Sequence, residues 1–79
     1  MVIAGTAAGD DFSYYRLEYG QGLNPQAWVQ IGGNVSNPVN DGFLAEWNTQ
    51  GLSGLYALRL VVVRGDQRLE SAVVAVTIE

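Results

Sequence analysis

The sequence predicts an all-β protein, a single antiparallel β-sandwich of six or seven strands. Short segments rich in β-branched and aromatic residues recur at intervals of about ten residues, separated by Gly, Asn, Asp and Pro, as expected of a sandwich or barrel. Apolar residues with helical periodicity are nearly absent. The chain has 79 residues, 48% of them hydrophobic, which is enough for one core. We therefore assign residues 1–79 to one module.

The first strands are predicted from alternation. Val2 to Ala7 begins the sheet, and Phe12 to Tyr19 follows after a Gly-Asp-Asp turn. Successive side chains of a strand point to opposite faces. We expect one set in the core, namely Tyr15, Leu17 and Tyr19, and the other set outside, namely Tyr14, Arg16 and Glu18.

The middle of the chain gives a less regular pattern. Ala27 to Ile31 and Phe43 to Asn48 are predicted strands, joined by a polar connection over residues 34–42. Each strand contains two large apolar residues three positions apart, which a straight strand would place on opposite faces. Either a β-bulge intervenes or one member of each pair is exposed. The pairs are Trp28 with Ile31 and Leu44 with Trp47.

The last third predicts a hairpin. Tyr56 to Val63 and Arg68 to Ile78 alternate cleanly around the turn Arg64-Gly65-Asp66-Gln67. The turn contains the tripeptide that integrins recognise, although Gly and Asp are what such a turn requires in any case. Val61 and Val63 point outward, so we expect a loop, a neighbouring domain or a partner to cover them.

The residue types present exclude several classes of function. The chain has no histidine and no cysteine, which removes the usual general base, thiolate and zinc ligands. Four arginines face eight carboxylates, a net charge of −4, so no basic patch for nucleic acid is available. Glu18 and Glu46 could act as an acid–base pair only if buried, and both are expected to face solvent. We expect no catalytic residue, metal or cofactor, and no direct membrane insertion.

Aromatic side chains are the remaining candidates for ligand contact. Exposed aromatic faces on β-sandwiches stack on sugars or anchor protein interfaces. Tyr14, Trp28 and Trp47 are therefore candidates, together with the outward Val61 and Val63. The alternative is that both tryptophans belong to the core, where burial of an indole strongly stabilises a small domain.

Two patterns resemble known modules. The segment Gly51 to Leu60, a glycine turn leading into a strand, resembles part of immunoglobulin-like and fibronectin type III-like domains. This resemblance implies that Tyr56 is a tyrosine corner, whose hydroxyl bonds to upstream backbone. A wider pattern is similar to the accessory modules at the C-terminal end of bacterial class A penicillin-binding proteins, also found in secreted subtilisin-like proteases and surface proteins. It comprises Ile3–Ala7, Tyr15–Gly20, Asn24–Trp28, Leu44–Thr49 and Tyr56–Leu60.

The resemblance implies a non-catalytic module excised from a larger, extracytoplasmic protein. In such penicillin-binding proteins the glycosyltransferase and transpeptidase sites lie in other domains, so no catalytic residue is implied here. We expect the module to pack on neighbouring domains of its parent chain or to bind peptidoglycan or another envelope protein, and to be a monomer when isolated. An accessory module of a subtilisin-like protease and a cell-surface adhesive module are the alternatives.

Overall fold

The computed structural model describes all residues, 1–79, and contains six antiparallel strands and no helix. The predicted antiparallel β-sandwich is confirmed. β1 and β4 form a two-stranded sheet, and the other strands form a four-stranded sheet in the order β3-β2-β5-β6. The strands are β1 (Val2–Ala7), β2 (Phe12–Gln21), β3 (Val29–Val35), β4 (Val39–Glu46), β5 (Gly54–Arg64) and β6 (Leu69–Ile78). The chain forms no helix long and apolar enough to cross a membrane.

The core lies between the two sheets. Tyr15 and Leu17 of β2 are buried as predicted, while Tyr19 is half-buried and packs against the core. The Tyr15 hydroxyl donates a buried hydrogen bond of 2.6 Å to the carbonyl of Leu44, which joins β2 to the opposite sheet. The remaining core residues are Ile3, Ala7, Ile31, Trp47, Tyr56, Leu58, Val62 and Ile78.

The implied tyrosine corner is wrong. Tyr56 is buried at the start of β5, but its hydroxyl makes no hydrogen bond to the backbone. The hydroxyl that bonds to a distant carbonyl belongs to Tyr15, on a different strand. Glycine turns and a following tyrosine recur in many β proteins, so the local pattern at Tyr56 does not determine this hydrogen bond.

A β-bulge explains how Leu44 and Trp47 both reach the core. Ile3 pairs with Ala45 but the next residue, Ala4, pairs with Phe43, so Leu44 is an extra residue in β4. The extra residue shifts the alternation, and both large side chains then face inward. Of the two alternatives left open by the sequence, the structure therefore contains the bulge for this pair. In the other pair, Ile31 is in the core and Trp28 is half-buried on the outside.

The observed bounds of β3 and β4 differ from those predicted: β3 begins and ends later in the chain, and β4 begins and ends earlier. β3 continues through Gly32 and Gly33 to Val35, and β4 starts at Val39, inside the predicted polar connection. Gly32 and Asp41 have positive φ angles of 69° and 50°, so these strands bend locally. Both residues lie where the register is irregular, and the paired residues on either side extend the two strands beyond what local strand propensity predicts.

The two sheets differ in width, and this leaves part of the core side uncovered. Val74 of β6 is paired with Leu58, a core residue, and therefore points to the inner face of its sheet. Nevertheless Val74 is 55% exposed, whereas Leu58 is 7% exposed. A two-stranded sheet cannot reach across four strands, because neighbouring strands are spaced by about 4.8 Å. The inner face of β6 consequently lies open.

Candidate functional site

The outer face of the four-stranded sheet carries the predicted contact residues. Register places Arg16 of β2 beside Val61 of β5, and Glu18 beside Arg59. On the far side of β5, Val73 of β6 lies next to Arg59. This surface, which we call the outer face, therefore has apolar residues with charged residues on either side.

An ion-pair cluster organises the outer face. The carboxylate of Glu18 binds Arg59 at 2.6 Å and Arg16 at 3.4 Å. The Arg59 guanidinium also lies over the ring of Trp28, 4.1 Å from the ring centroid, in cation–π geometry. Arg59 is held on two sides, and Trp28, placed by the loop before β3, is fixed against the sheet.

Val61 and Val63 need no partner to cover them. Their exposed fractions are 4% and 8%, so the folded chain by itself already removes them from solvent. Both point outward as predicted, but longer side chains of the adjacent strands flank them, with Tyr14 beside Val63. The valines are covered, as expected, but within the chain itself, so their burial gives no indication of a neighbouring domain or partner.

A shallow hollow lies over Val61. It has a volume of about 260 Å³ and is lined by Arg16, Arg59, Val61, Leu69 and Ser71. Leu69 is 61% exposed, which gives the hollow an apolar wall beside two guanidinium groups. Arg16 makes one long contact to Glu18, so most of its N–H donors are free to bind a carboxylate.

Trp47 is not a surface residue. It is 2% exposed and packs in the core against Tyr19 and Tyr56, with ring centroids 4.9 and 6.0 Å away. Its indole Nε1 is buried without a hydrogen-bond partner. Trp47 is thus removed from the candidates for ligand stacking, and Tyr14 and Trp28 remain, both half-buried on the outer face.

Glu18 and Glu46 do not form a carboxylate pair. Glu18 lies on the outer face of the four-stranded sheet, bound to arginines. Glu46 is on β4 opposite the exposed Val2, on the outside of the other sheet. The core separates the two side chains, which excludes joint action on one bond.

The tripeptide at the β5–β6 turn is committed to structure. Arg64 donates to the carbonyls of Ala8 and Asp10 at 3.1 and 3.0 Å and binds Glu70 through two hydrogen bonds of 3.1 Å. Its side chain is only 11% exposed. These contacts prevent Arg64 from extending toward a receptor and make it an anchor between the turn and the β1–β2 loop. The hydrogen bond from Arg64 lowers the pKa of Glu70.

Comparison with family models, curated proteins and solved structures gives no match to this chain. The resemblance to accessory modules of penicillin-binding proteins therefore stays a prediction. The description of the outer face does not depend on it, because that description follows from register and side-chain contacts.

Sequence reasoning missed the arginines and Leu69 as parts of the outer face. Arg16 and Arg59 are far apart in the sequence, and only the β2–β5 pairing brings them together. The signal in the sequence for the two arginines was weak. They alternate outward on the same strands as the predicted contact residues Tyr14 and Val61. Which strands are neighbours could not be read from alternation alone.

Proposed function

We propose that the chain is a non-catalytic binding module of a bacterial cell-envelope protein, with its outer face as the binding surface. The parent that we propose is a peptidoglycan-synthesising penicillin-binding protein, located outside the cytoplasm. The observation that carries the proposal is the grouping of Trp28, Arg59 and Arg16 beside the hollow over Val61. The sequence resemblance supplies the parent, and the geometry supplies the surface.

The chemistry of the outer face suits a ligand that combines sugar or peptide surface with carboxylates. Aromatic rings and apolar walls, here Trp28, Tyr14 and Leu69, contact sugar rings and aliphatic side chains. Guanidinium groups bind carboxylates through paired N–H donors. Peptidoglycan presents both features, because its glycan strands carry short peptides with free carboxylates. A neighbouring domain or envelope protein with an acidic, partly apolar patch has the same complementarity.

A binding role is favoured over catalysis by where the charged groups lie. The carboxylate of Glu18 is neutralised by two arginines at the protein surface. The hollows beside the core are bounded mainly by aliphatic side chains, which supply no acid, base or nucleophile. The outer face can hold a ligand in place but has no group positioned to transfer a proton to it.

The proposal is tested by titrating the folded chain with soluble disaccharide–peptide fragments of peptidoglycan while recording NMR spectra. We expect shifts at the indole N–H of Trp28 and at the guanidinium N–H groups of Arg16 and Arg59. The indole N–H of Trp47 is a control within the same spectrum, because it is buried away from the outer face. Absence of shifts at millimolar fragment would overturn the glycan form of the proposal.

Matched variants distinguish binding at the outer face from non-specific attraction between charges. Arg16→Gln should weaken binding to purified sacculi by about tenfold or more, since one charge-assisted contact is lost. Arg68→Gln removes the same charge at the hairpin tip, where Arg68 is 66% exposed and bound to Asp66, and should bind like the unaltered chain. Equal weakening by both variants would show non-specific charge attraction instead of a defined surface.

A protein partner would bind the same outer face. In a parent chain that carries this module beside its catalytic domains, NMR should then show that Trp28 and Leu69 are protected from solvent. An adhesive role through the Arg-Gly-Asp tripeptide receives no support, because Arg64 is held by Glu70 and two carbonyls.

A further inference from the structure

The open side of the sandwich between β1 and β6 forms an apolar groove. One hollow, of about 180 Å³, has Ile3 to Gly5 of β1 as one wall, Ala72 and Val74 of β6 as the other, and Leu58 and Leu60 at its base. A second hollow of similar volume continues it toward Thr6 and Glu70, sharing Leu60 and Ala72 with the first. We call this surface the β1–β6 groove.

The edge of β1 beside the groove has unpaired backbone groups. β1 pairs only with β4, and the reciprocal hydrogen bonds between Met1 and Trp47, of 2.8 and 2.9 Å, fix which residues face β4. By the alternation of an antiparallel ladder, Val2 and Ala4 direct their N–H and C=O groups away from β4, to the open side. A further strand beside β1 would satisfy these groups and would lie over the inner face of β6.

We propose that the β1–β6 groove binds an extended peptide strand of another protein, which pairs with the edge of β1 and places alternate apolar side chains over Leu60, Ala72 and Val74. Main-chain pairing supplies affinity in this mode, and the hollows select side chains at every second position. Both hollows lie along β1, within the span from Ile3 to Thr6, so one strand paired with β1 would pass over both.

Charge defines the chemistry of the strand further. The chain carries a net charge of −4, and each of its arginines is bound to a carboxylate. Asp41 and Glu46 lie on β4 near the two ends of β1, where they make no ion pair. A strand with Lys or Arg at its ends is therefore favoured, whereas a second copy of this chain would bring the same negative charge.

The test uses a capped heptapeptide, Lys-Val-Thr-Val-Thr-Val-Lys, and the folded chain. Two isomers are N-methylated, one on two valines and the other on the two threonines. In a paired strand only one of these sets of amides faces β1, so one isomer should bind like the parent peptide and the other about thirtyfold more weakly, through the loss of two hydrogen bonds. Equal binding of both isomers, or no binding of the parent peptide, overturns the proposal.

Matched variants of the chain locate the site. Val74→Gln changes the groove wall and should weaken peptide binding by about tenfold or more. Val73→Gln is the control, because Val73 is 54% exposed, like Val74, but on the outer face. Both variants should fold, since neither residue is buried. Amide hydrogen exchange of Val2 and Ala4 should slow with the peptide bound, and unchanged exchange would contradict strand pairing.

Sedimentation of the chain alone tests whether a second copy of the chain occupies the β1–β6 groove instead. A monomer at all concentrations agrees with a peptide strand in trans, whereas a dimer that Val74→Gln dissociates would identify a second copy as the occupant and overturn the proposal. The groove and the outer face are on different surfaces, so failure here leaves the outcome of the peptidoglycan titration unaffected.

Discussion

Removal of one hydroxyl group tests how the two sheets are held together. The Tyr15 hydroxyl donates a 2.6 Å hydrogen bond to the Leu44 carbonyl, and both residues are buried, at 2% and 5% exposure. Tyr15→Phe keeps the ring and removes only the donor, which leaves the carbonyl of the bulge residue in the core without this partner. Loss of such a buried hydrogen bond costs about 1–3 kcal/mol of unfolding free energy.

Tyr14→Phe is the control for this substitution. Tyr14 is the neighbouring residue of β2, is half-buried on the outer face, and its hydroxyl makes no protein hydrogen bond. Its removal should change stability by no more than about 0.5 kcal/mol. In urea unfolding followed by circular dichroism, with an m value of about 1 kcal/mol per M for so small a domain, the Tyr15→Phe midpoint should fall by about 1–3 M. Equal midpoints for the two variants would refute the assignment of this hydrogen bond as a link between sheets.

Alkaline titration gives an independent measure of the same tyrosine. Burial raises the pKa of Tyr15 above its ordinary value of 10.0. The unfolded chain therefore ionises first, and stability that is present below pH 10 should be lost as the pH rises toward the pKa of the folded state. Tyr15→Phe should remove the component of the absorbance change at 295 nm that belongs to this raised pKa.

Three further outcomes follow from the contacts described above. The hydrogen bond from Arg64 lowers the pKa of Glu70, so that carboxylate stabilises the fold above pH 4.5 and loses this effect on acidification. Glu70→Gln should therefore be less stable near pH 7, and its melting temperature should fall less steeply as the pH is lowered. Acrylamide should quench the half-buried Trp28 and spare Trp47, so Trp28→Phe should abolish most quenching, and quenching that persists would contradict the burial of Trp47. Gly20→Ala would place a Cβ 2.3 Å from a proline ring carbon of the next loop, and should destabilise the protein by about 1–3 kcal/mol in urea unfolding; an unchanged midpoint would show that the loop moves aside.

The presence of the strands was predictable, because residue types alternate strongly along segments whose two faces lie in different surroundings. The β5–β6 hairpin follows directly from the alternation of Tyr56 to Val63, and its register has no irregularity. The bounds of β3 and β4 were less predictable, because Gly32, Gly33 and the segment Asn40 to Gly42 have weak strand propensity. There the register is irregular, and the strands are extended by the pairs on either side, which local sequence does not reveal.

The candidate surface was only partly predictable. Outward orientation identified Tyr14, Trp28, Val61 and Val63, but orientation does not determine exposure, and the valines are covered by their own sheet. Trp47 lies in the core because of a β-bulge. Alternation alone left open whether such a bulge was present or Trp47 was exposed. The ion pairs on the outer face depend on β2 lying beside β5, which is a property of topology and not of either strand.

The order of the strands has a consequence for how fast the chain folds. Only the β2–β3 and β5–β6 pairings join neighbouring strands, whereas β2–β5 and β1–β4 join distant ones, such as Phe12 with Arg64 and Val2 with Glu46. Closing such long loops costs entropy before any contact compensates it, so folding in milliseconds to seconds is expected. The two hairpins can form early because their contacts are local, and the β2–β5 and β1–β4 pairings then join segments from distant parts of the chain.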